Sequence, residues 1–280
     1  MSDEAVLYDV DDKIGLITLN RPQSLNAINA ELRLALTEVF NRADADPATS
    51  VVVLRAEGRS FCAGYDISGG EADKEEWRHD ALKWHAHLAE SLAFEMMPWN
   101  MQKPVIASVQ GHALGGGCEI AMFCDLTIAA DNALFGEPEI RFSNVGPAIV
   151  MPWIIGYKKA RELLYLGDMI NASTALSLGM INRIVPLAEL PAATLQFARR
   201  LALIAPEALY AAKLSVNRGA DAAGFTAAMR AGLDMAAPLY AARTEAGMKF
   251  IDLTRQQGLK AALRWRRAQF ESGAPGDPTP

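Results

Sequence analysis

The chain has 280 residues, a length that fits either one large domain or two small ones. Its composition, with 51% hydrophobic and 21% charged residues, is that of a globular protein and excludes collagen-like and wholly disordered chains. The 27 Lys and Arg residues against 33 Asp and Glu residues give a net charge of −6, which disfavours broad binding to nucleic acid or to an anionic membrane. A phosphorylated small molecule stays an acceptable ligand, because a local basic patch is enough to bind it.

Cysteine usage and the character of the N-terminal residues predict the compartment. The three cysteines are an odd number without a CxxC pair, which is typical of reduced thiols in the cytoplasm. The N-terminal stretch MSDEAVLYDV lacks the basic and apolar regions of a secretory signal, and the longest uncharged run, residues 142–157, is too short for a membrane helix. We therefore expect a soluble, cytoplasmic protein whose cysteines pack as small buried hydrophobes, namely Cys62, Cys118 and Cys124.

The first half of the chain alternates between strand-like and helix-like patterns. Alternating apolar residues over 6–18 predict a hairpin. Apolar residues at i, i+4, i+7 and i+8 over 29–40 predict an amphipathic helix, and the apolar run 51–54 predicts a strand buried on both faces. The alternation continues with a helix over 74–97, a strand over 105–109, a short helix after Gly117 and a strand over 126–130.

Strands that alternate with helices indicate an α/β layer architecture. A helix over 158–166 and a strand over 181–185 extend the pattern, and Ser173 is predicted to cap a further short helix. Beyond residue 186 only Ala-rich helical patterns remain. We therefore divide the chain into an α/β core, residues 1–205, and a helical C-terminal subdomain, residues 206–280, which ends in a frayed tail over 272–280.

The most informative segment, residues 103–125, reads KPVIASVQGHALGGGCEIAMFCD. A strand-like run there ends at Gly111, and the triple glycine 115–117 opens a helix. N–H groups in the first turn of a helix have no partner within it, so this loop is a candidate site for an anionic group. Tight helix packing is the alternative reason for the glycines. A dinucleotide site is disfavoured, because Ala113 replaces the second glycine of GxGxxG, and no GxxxxGK[ST] motif for a triphosphate occurs.

A second glycine loop and two carboxylates accompany this segment. The loop over 60–67 follows the strand predicted at 51–54, and one backbone N–H from each loop can stabilise the same developing oxyanion. Glu119 lies in the first turn after the triple glycine, where a favourable interaction with the helix dipole is the alternative reason for it. Glu139 lies just beyond the next strand and is expected at the same end of the sheet. The two glutamates are therefore candidates for acid–base catalysis.

Several motifs together resemble the enoyl-CoA hydratase/isomerase (crotonase) superfamily, and most closely its enoyl-CoA hydratases. They are KPVIASVQGHALGGGCEIAMFCDLTIAAD followed by FGEPEI, SFCAGYDI upstream, and NRPQSLNAIN near the start, and the match runs over residues 6–186. The resemblance implies a crotonase-like α/β spiral of ββα units with a helical C-terminal subdomain. It also implies assembly as a homotrimer or a dimer of trimers.

The resemblance implies roles for individual residues as well. The backbone N–H groups of Tyr65 and Gly116 match the family's oxyanion hole, which holds a thioester carbonyl as it becomes an enolate. Glu119 and Glu139 match the glutamates that, in family hydratases, activate a water for addition to the β-carbon, while the second one supplies the α-proton. The implied substrate is an acyl-CoA thioester, without metal or redox cofactor, since CoA is part of the substrate. The residues that match the CoA site are Ala63, Tyr65, Asp66, Ile67, Ser68 and Gly116.

The presence of both glutamates favours one reaction, the hydration of a trans-2-enoyl-CoA to a 3-hydroxyacyl-CoA in fatty acid metabolism. Other thioester-enolate reactions of the superfamily stay open, namely double-bond isomerisation and hydratase-coupled cleavage of an aromatic acyl-CoA. A non-catalytic CoA-binding paralogue would be expected to lose the carboxylates. An RNA-binding paralogue would conflict with the net charge of −6 unless the basic residues near the C-terminus belong to a larger basic face.

The chain departs from familiar hydratases after the second glutamate. Residues 142–153 are bulkier than the family's glycine-rich stretch, and we expect them to shape the acyl pocket. Glu137 lies two residues before Glu139 and is the alternative candidate for its role. In an extended segment the two would share a face, so that Glu137 would raise the pKa of its neighbour, and we favour Glu139.

Other polar and aromatic residues have weaker signals. His85 and His87 lack a third metal ligand at suitable spacing, and His112 is expected to pack or hydrogen-bond beneath its loop. For the tryptophans Trp77, Trp84 and Trp99 we expect packing, with the lining of a wide or aromatic acyl site as the alternative. A C-terminal basic stripe is expected to be a solvated helix face, with contact to CoA phosphates as the alternative; its members are Lys260, Arg264, Arg266 and Arg267.

Overall fold

The computed structural model describes residues 4–68, 77, 79–242 and 244–271. Its strands are β1 (Val6–Asp11), β2 (Ile14–Leu19), β3 (Val51–Ala56), β4 (Val105–Val109), β5 (His112–Leu114), β6 (Leu126–Ala130), β7 (Leu134–Gly136), β8 (Met169–Asn171) and β9 (Arg183–Val185). Its helices are α1 (Ala30–Ala45), α2 (Ala81–Glu95), α3 (Met97–Asn100), α4 (Gly116–Phe123), α5 (Met151–Ile155), α6 (Tyr157–Leu166), α7 (Ala172–Ser177), α8 (Leu190–Leu201), α9 (Pro206–Ala222), α10 (Phe225–Ala242), α11 (Glu245–Gln257) and α12 (Leu259–Glu271). The predicted α/β architecture with a helical C-terminal region is confirmed.

A six-stranded sheet in the order β1-β2-β3-β4-β6-β9 forms the centre of the molecule. β1 and β2 pair antiparallel as the predicted hairpin, and each later strand is parallel to its neighbour. On one face, Val51 and Val53 of β3 pack with Leu190 of α8, and the main hydrophobic core covers the other face. Burial on both faces explains why the predicted strand 51–54 is apolar at every position.

A second, smaller sheet joins three strands of three residues each, in the order β5-β7-β8. β5 ends directly before the triple glycine, and the parallel strand β7 ends directly before Glu137. The N–H of Gly115 donates to the carbonyl of Gly136 at 2.9 Å, which continues the pairing beyond the strands. This sheet therefore brings the two chemical segments together. The sequence does not predict its strands, because three residues are too few to show alternation.

Several helix boundaries differ from the predicted ones. α2 begins at Ala81 with Asp80 as its cap, whereas the prediction began at 74; residues 74–76 and 78 lie outside the described residues. The short helix that was predicted to follow Gly117 begins at Gly116, two residues earlier than predicted. Ser173 was predicted to cap α7, and this is wrong. Asn171 is the cap, because the helix begins before Ser173 and the Asn171 side chain accepts a hydrogen bond from the Thr174 N–H at 2.9 Å.

Beyond β9 the described chain is helical, as predicted. α8 covers the large sheet, and α10 lies along α2 with Phe225, Met229 and Leu233 in the main hydrophobic core. The division of the chain at residue 205 stays a prediction, and the predicted tail, 272–280, lies outside the described residues. All three cysteines are buried and unpaired, as expected. Among the described helices, none has the length and apolar character to cross a membrane.

Candidate active site

The two glycine loops converge, as the sequence analysis predicts. The Cys62 N–H donates to the His112 carbonyl and the Leu114 N–H donates to the Cys62 carbonyl, both at 2.9 Å, so the loops pair like two short parallel strands. Gly64 has a φ of +87°, and a Cβ added there would lie 2.8 Å from the Leu114 carbonyl oxygen. The close approach of the loops thus requires glycine at position 64 on both conformational and steric grounds.

The predicted N–H donors, those of Tyr65 and Gly116, belong to residues in direct contact. Gly116 is the first residue of α4, where a backbone N–H has no intrahelical partner, and Tyr65 lies in a parallel bridge with Ile28. A Cβ added to Gly116 would lie 2.7 Å from Cε2 of the Tyr65 ring. Among the described residues, neither N–H donates a hydrogen bond to a protein acceptor. Both donors are therefore free to bind a ligand oxygen.

Glu119 is fully buried in the first turn of α4. Its Oε1 accepts a hydrogen bond from the Ala148 N–H at 3.1 Å and lies against Cα of Gly146, so closely that a Cβ on Gly146 would overlap it. Burial raises the pKa of this carboxyl well above its ordinary value, and the nearby carboxylates Glu95 and Glu139 raise it further. A favourable interaction with the helix dipole is thus not the main influence on Glu119.

Glu139 lies in a 3₁₀ turn, Pro138–Phe142, that follows β7. Its carboxylate faces Gly115, whose φ is +51° and whose Cα leaves no room for a Cβ beside Oε1 of Glu139. Burial raises the pKa of Glu139 to about 7, so the carboxyl can hold or release a proton near neutral pH. The structure therefore places Glu139 against the glycine turn and brings Glu119 close enough for the charge of Glu139 to act on it, so the two glutamates meet as expected.

A cavity of about 550 Å³ opens beside these groups. The predicted CoA-site residues that line it are Ala63, Tyr65, Asp66, Ile67 and Ser68, and Glu139 lies in its wall. Gly116 and Glu119 are buried directly behind Tyr65 and Gly146, which do line it. The bulkier segment after the second glutamate contributes five lining residues, as expected, namely Phe142, Ser143, Asn144, Gly146 and Pro147. Residues of α1, α2, α10 and α11 also line it.

A third carboxyl group, that of Glu95, belongs to this cluster and was missed by the sequence analysis. Glu95 ends α2, is fully buried, and accepts a hydrogen bond from the Tyr65 hydroxyl at 2.6 Å. Burial raises its pKa to about 8. The available signal was its position, since the buried face of the same helix includes Leu92, Ser91 and Leu88, which lie three, four and seven residues before Glu95.

Glu137 behaves differently from our expectation. The chain turns into the 3₁₀ helix at Pro138, so Glu137 and Glu139 are not on one face of an extended segment. Glu137 is itself buried, and its pKa is raised well above the ordinary value by burial and by the charges of Glu119 and Glu139. The repulsion thus raises the pKa of Glu137, the reverse of the direction that we predicted.

Of the remaining aromatic and histidine residues that the sequence singled out, some pack in the protein interior and others line the cavity. Trp84 lines the cavity, whereas Trp99 stacks on Phe225 with ring centroids 4.4 Å apart and lies away from it. His112 hydrogen-bonds to Ser60 at 3.2 Å beneath its loop, as expected. Within the described ranges, no group of three or more His, Cys, Asp or Glu side chains has the arrangement of a metal site.

The C-terminal basic stripe is not uniformly solvated. Arg264 and Arg267 are exposed, as expected, and so is Lys260. Arg266 is half-buried, and its Nε donates to the Arg141 carbonyl while its guanidinium lies over the Phe270 ring. Partial burial and the charge of Arg141 lower its pKa. Arg266 therefore has a structural contact that the helical pattern does not reveal.

Comparison with known proteins places the chain in a family. A sequence model described as enoyl-CoA hydratase/isomerase matches residues 9–255. The chain belongs to the enoyl-CoA hydratase/isomerase family. A probable enoyl-CoA hydratase of Rhizobium meliloti (strain 1021) is 35% identical over 274 residues, which cover 97% of this chain and 99% of the relative. A crotonyl-CoA hydratase of Syntrophomonas wolfei is 32% identical over 276 residues, or 97% and 100% of the two chains.

The fold of this enoyl-CoA hydratase/isomerase family member agrees with that of solved relatives. The crystal structure of an enoyl-CoA hydratase/isomerase from Xanthobacter autotrophicus Py2 has a TM-score of 0.89 and 33% sequence identity, and covers 95% of this chain and 98% of that one. The resemblance to the crotonase superfamily and the fold class predicted from the motifs are therefore confirmed.

The contact between Gly146 and Glu119 gives a stability prediction. Gly146→Ala is expected to lower the free energy of unfolding by about 1–3 kcal/mol, because the added methyl group overlaps a buried carboxylate in a packed site. Gly219→Ala is the matched control: nothing lies within 4 Å of its added Cβ, and alanine in a helix stabilises by up to about 1 kcal/mol. Denaturant unfolding measures both. Equal stabilities of the two variants would contradict the Gly146 contact.

Proposed function

We propose that this chain is an enoyl-CoA hydratase that adds water across a trans-2-enoyl-CoA to give a 3-hydroxyacyl-CoA, without metal or redox cofactor. One observation carries the proposal. Glu119, which is buried, and Glu139, which lines the cavity against Gly115, accompany a glycine turn whose Gly116 N–H, like the Tyr65 N–H beside it, has no protein acceptor among the described residues. This combination of oxyanion donors and paired carboxyls is what addition to a thioester-activated double bond needs.

The proposed steps balance in atoms and protons. The water oxygen bonds to the β-carbon, and the electrons of the double bond move onto the thioester oxygen, where the N–H groups of Tyr65 and Gly116 hold the developing charge. Glu139 then gives a proton to the α-carbon, and the proton released by water replaces it on the carboxyl pair. A pKa of about 7 suits Glu139 to both halves of this exchange, since neither form is strongly favoured at neutral pH.

The cavity favours a bulky acyl group as a second candidate within the same reaction class. Aromatic rings surround the lining, with Trp84 and Tyr240 centroids 5.0 Å apart and Phe142 and Phe250 centroids 4.6 Å apart. Rings accept another ring by edge-to-face or offset packing. Hydration, or hydratase-coupled cleavage, of an aromatic acyl-CoA therefore has specific support, alongside the short crotonyl group named for the Syntrophomonas wolfei relative.

A panel of substrates tests the proposal. Loss of the conjugated enoyl-thioester absorbance is followed for short, long, branched and aromatic trans-2-enoyl-CoAs, with the product mass recorded. We expect a mass gain of one water, largest in rate for bulky acyl groups, and its loss in Glu119→Gln. Isomerisation without a mass change, cleavage to a smaller thioester, or binding of CoA thioesters without turnover would each overturn the hydratase proposal.

We also propose that the chain assembles as a homotrimer or a dimer of trimers. Large apolar side chains stand exposed, with 83% exposure for Leu82 of α2, 78% for Met235 of α10 and 84% for Leu203 in the turn after α8. Exposed apolar surface of this kind is typical of protein contact surfaces. Light scattering in solution measures the mass of the assembly, and a monomer would contradict the proposal.

A further inference from the structure

Glu95 is a buried carboxyl group that hydration by two glutamates does not use. We propose that Glu95 is a positioning residue of this site, which orients the oxyanion loop through Tyr65 and shares one proton with Glu119. The inference rests on the proposed hydratase function. Glu95 reaches the site from α2, outside the glycine loops and outside the 3₁₀ turn of Glu139.

The first part of the proposal is the contact with both oxyanion residues. The Tyr65 hydroxyl donates to Oε1 of Glu95 at 2.6 Å, and the Tyr65 ring lies against Gly116. The same oxygen of Glu95 would lie 3.2 Å from a Cβ added to Gly116. One carboxyl group therefore fixes the side chain of the first N–H donor and packs beside the second. Loss of this anchor frees the Tyr65 ring to rotate, and with it the loop that carries the Tyr65 N–H.

The second part is the approach of the carboxyl groups of Glu95 and Glu119, which lie close enough for each to shift the pKa of the other. Oε1 of Glu95 is taken by Tyr65 and Oε1 of Glu119 by Ala148, and in the described part of the chain no donor reaches Oε2 of either. Two ionised carboxylates in contact repel each other in a buried site. A proton shared between them removes the repulsion and supplies the missing donor.

Among the described residues, no cation is one of the main influences on the pKa of these carboxyl groups. The titratable groups that influence Glu95, or that Glu95 influences, are Tyr65, Cys62, Glu119, Glu137 and Glu139, all of them neutral or acidic. Burial raises the pKa of Glu95 to about 8 and that of Glu119 well above its ordinary value, so Glu95 is the first of the two to lose its proton. Above about pH 8 the pair therefore carries one negative charge and shares the remaining proton, and this charge disfavours the enolate that forms beside it. Glu95 itself gives no atom to the product.

Three variants separate the two parts of the proposal. The Glu95→Gln side chain still accepts from the Tyr65 hydroxyl and can donate to Glu119, but it does not titrate. We therefore expect kcat at neutral pH to stay within about threefold of wild type. We also expect the alkaline limb of the pH profile to move to higher pH. Glu95→Leu and Tyr65→Phe break the anchor, and we expect kcat to fall about tenfold, less than the loss of a whole oxyanion donor, with KM little changed. Glu90→Gln, an exposed change on the same helix, is the control with an unchanged profile.

The outcomes are distinct from those of the hydratase test. An unchanged alkaline limb in Glu95→Gln would overturn the shared proton, and full kcat in Tyr65→Phe would overturn the anchor, even if Glu95→Leu does not fold. The infrared band of protonated carboxyl groups needs no substrate. We expect wild type to lose intensity near pH 8 that Glu95→Gln lacks, so this readout tests the shared proton even if no enoyl-CoA is hydrated.

Discussion

Replacing Glu139 by glutamine is expected to lower kcat for enoyl-CoA hydration by about 10²- to 10⁴-fold, the usual contribution of a positioned acid–base group. Glutamine has nearly the shape of glutamate but cannot give a proton to the α-carbon or take one from water. KM is expected to change little, because the amide still fits beside Gly115 and the cavity wall keeps its form. Steady-state kinetics on the best substrate of the panel measure both constants.

Glu137→Gln is the matched control for Glu139→Gln. Glu137 lies two residues away and is buried, and burial together with the charges of Glu119 and Glu139 raises its pKa well above the ordinary value, which favours the protonated form. An amide therefore replaces a neutral acid, and kcat is expected to stay within a few-fold of wild type. A large loss in Glu137→Gln with near-normal kcat in Glu139→Gln would exchange the two roles, and equal losses in both variants would point to a general effect of the acidic cluster.

Replacing Asp125 by alanine is expected to lower the free energy of unfolding by about 3–5 kcal/mol, the cost of leaving a buried charge without its partner. Lys213 of α9 is 8% exposed, and its Nζ donates to Oδ2 of Asp125 at 2.8 Å and to the Pro98 carbonyl at 2.7 Å. The same Oδ2 accepts the Val105 N–H at 2.7 Å. The substitution therefore removes the carboxylate acceptor of both the Lys213 ammonium group and the Val105 N–H, the first N–H of the central strand β4. Denaturant unfolding gives the value.

The control for Asp125→Ala is an exposed ion pair of the same chemistry. Asp11 and Arg199 lie 2.9 Å apart, but their side chains are 39% and 56% exposed, so water screens the interaction. Asp11→Ala is expected to change the free energy of unfolding by at most about 1 kcal/mol. A similar small change in Asp125→Ala would mean that Lys213 finds sufficient partners in the backbone carbonyls alone. Lys213→Met would then be expected to cost little as well.

Much of the large sheet and many of its surrounding helices follow from local patterns. The strands over 105–109 and 126–130 were predicted at their observed bounds, because strands buried on both faces are predominantly apolar and stand out from the polar segments around them. The loop convergence also followed from the chain order, since successive parallel strands end at one edge of a sheet. Gly64 and Gly115 lie where the two loops approach each other closely. Both have a positive φ, a conformation that favours glycine, so the glycines in the sequence already indicate these positions.

The errors have a physical pattern. Ser173 and Asn171 are both good caps, and only the position of β8, which ends at Asn171, selects between them. The strands of the small sheet are too short to show a period, although they bring Gly115 and Glu139 together. The turn at Pro138 separates Glu137 from Glu139 and depends on the packing of the 3₁₀ helix. A pattern of alternating apolar and polar residues does not indicate such a turn.

The sequence by itself determined the family, the strands of the large sheet and the residue types of the site, because apolar period, glycine conformation and carboxyl chemistry are local properties. The tertiary structure alone decided which carboxyl groups meet. Glu95 comes from a helix some twenty residues before the glycine turn, and its contact with Tyr65 and Glu119 exists only because α2 packs beside α4. The pKa of a carboxyl group in a buried cluster depends on its charged neighbours and on the loss of hydration. The spacing of residues along the chain predicts neither of them.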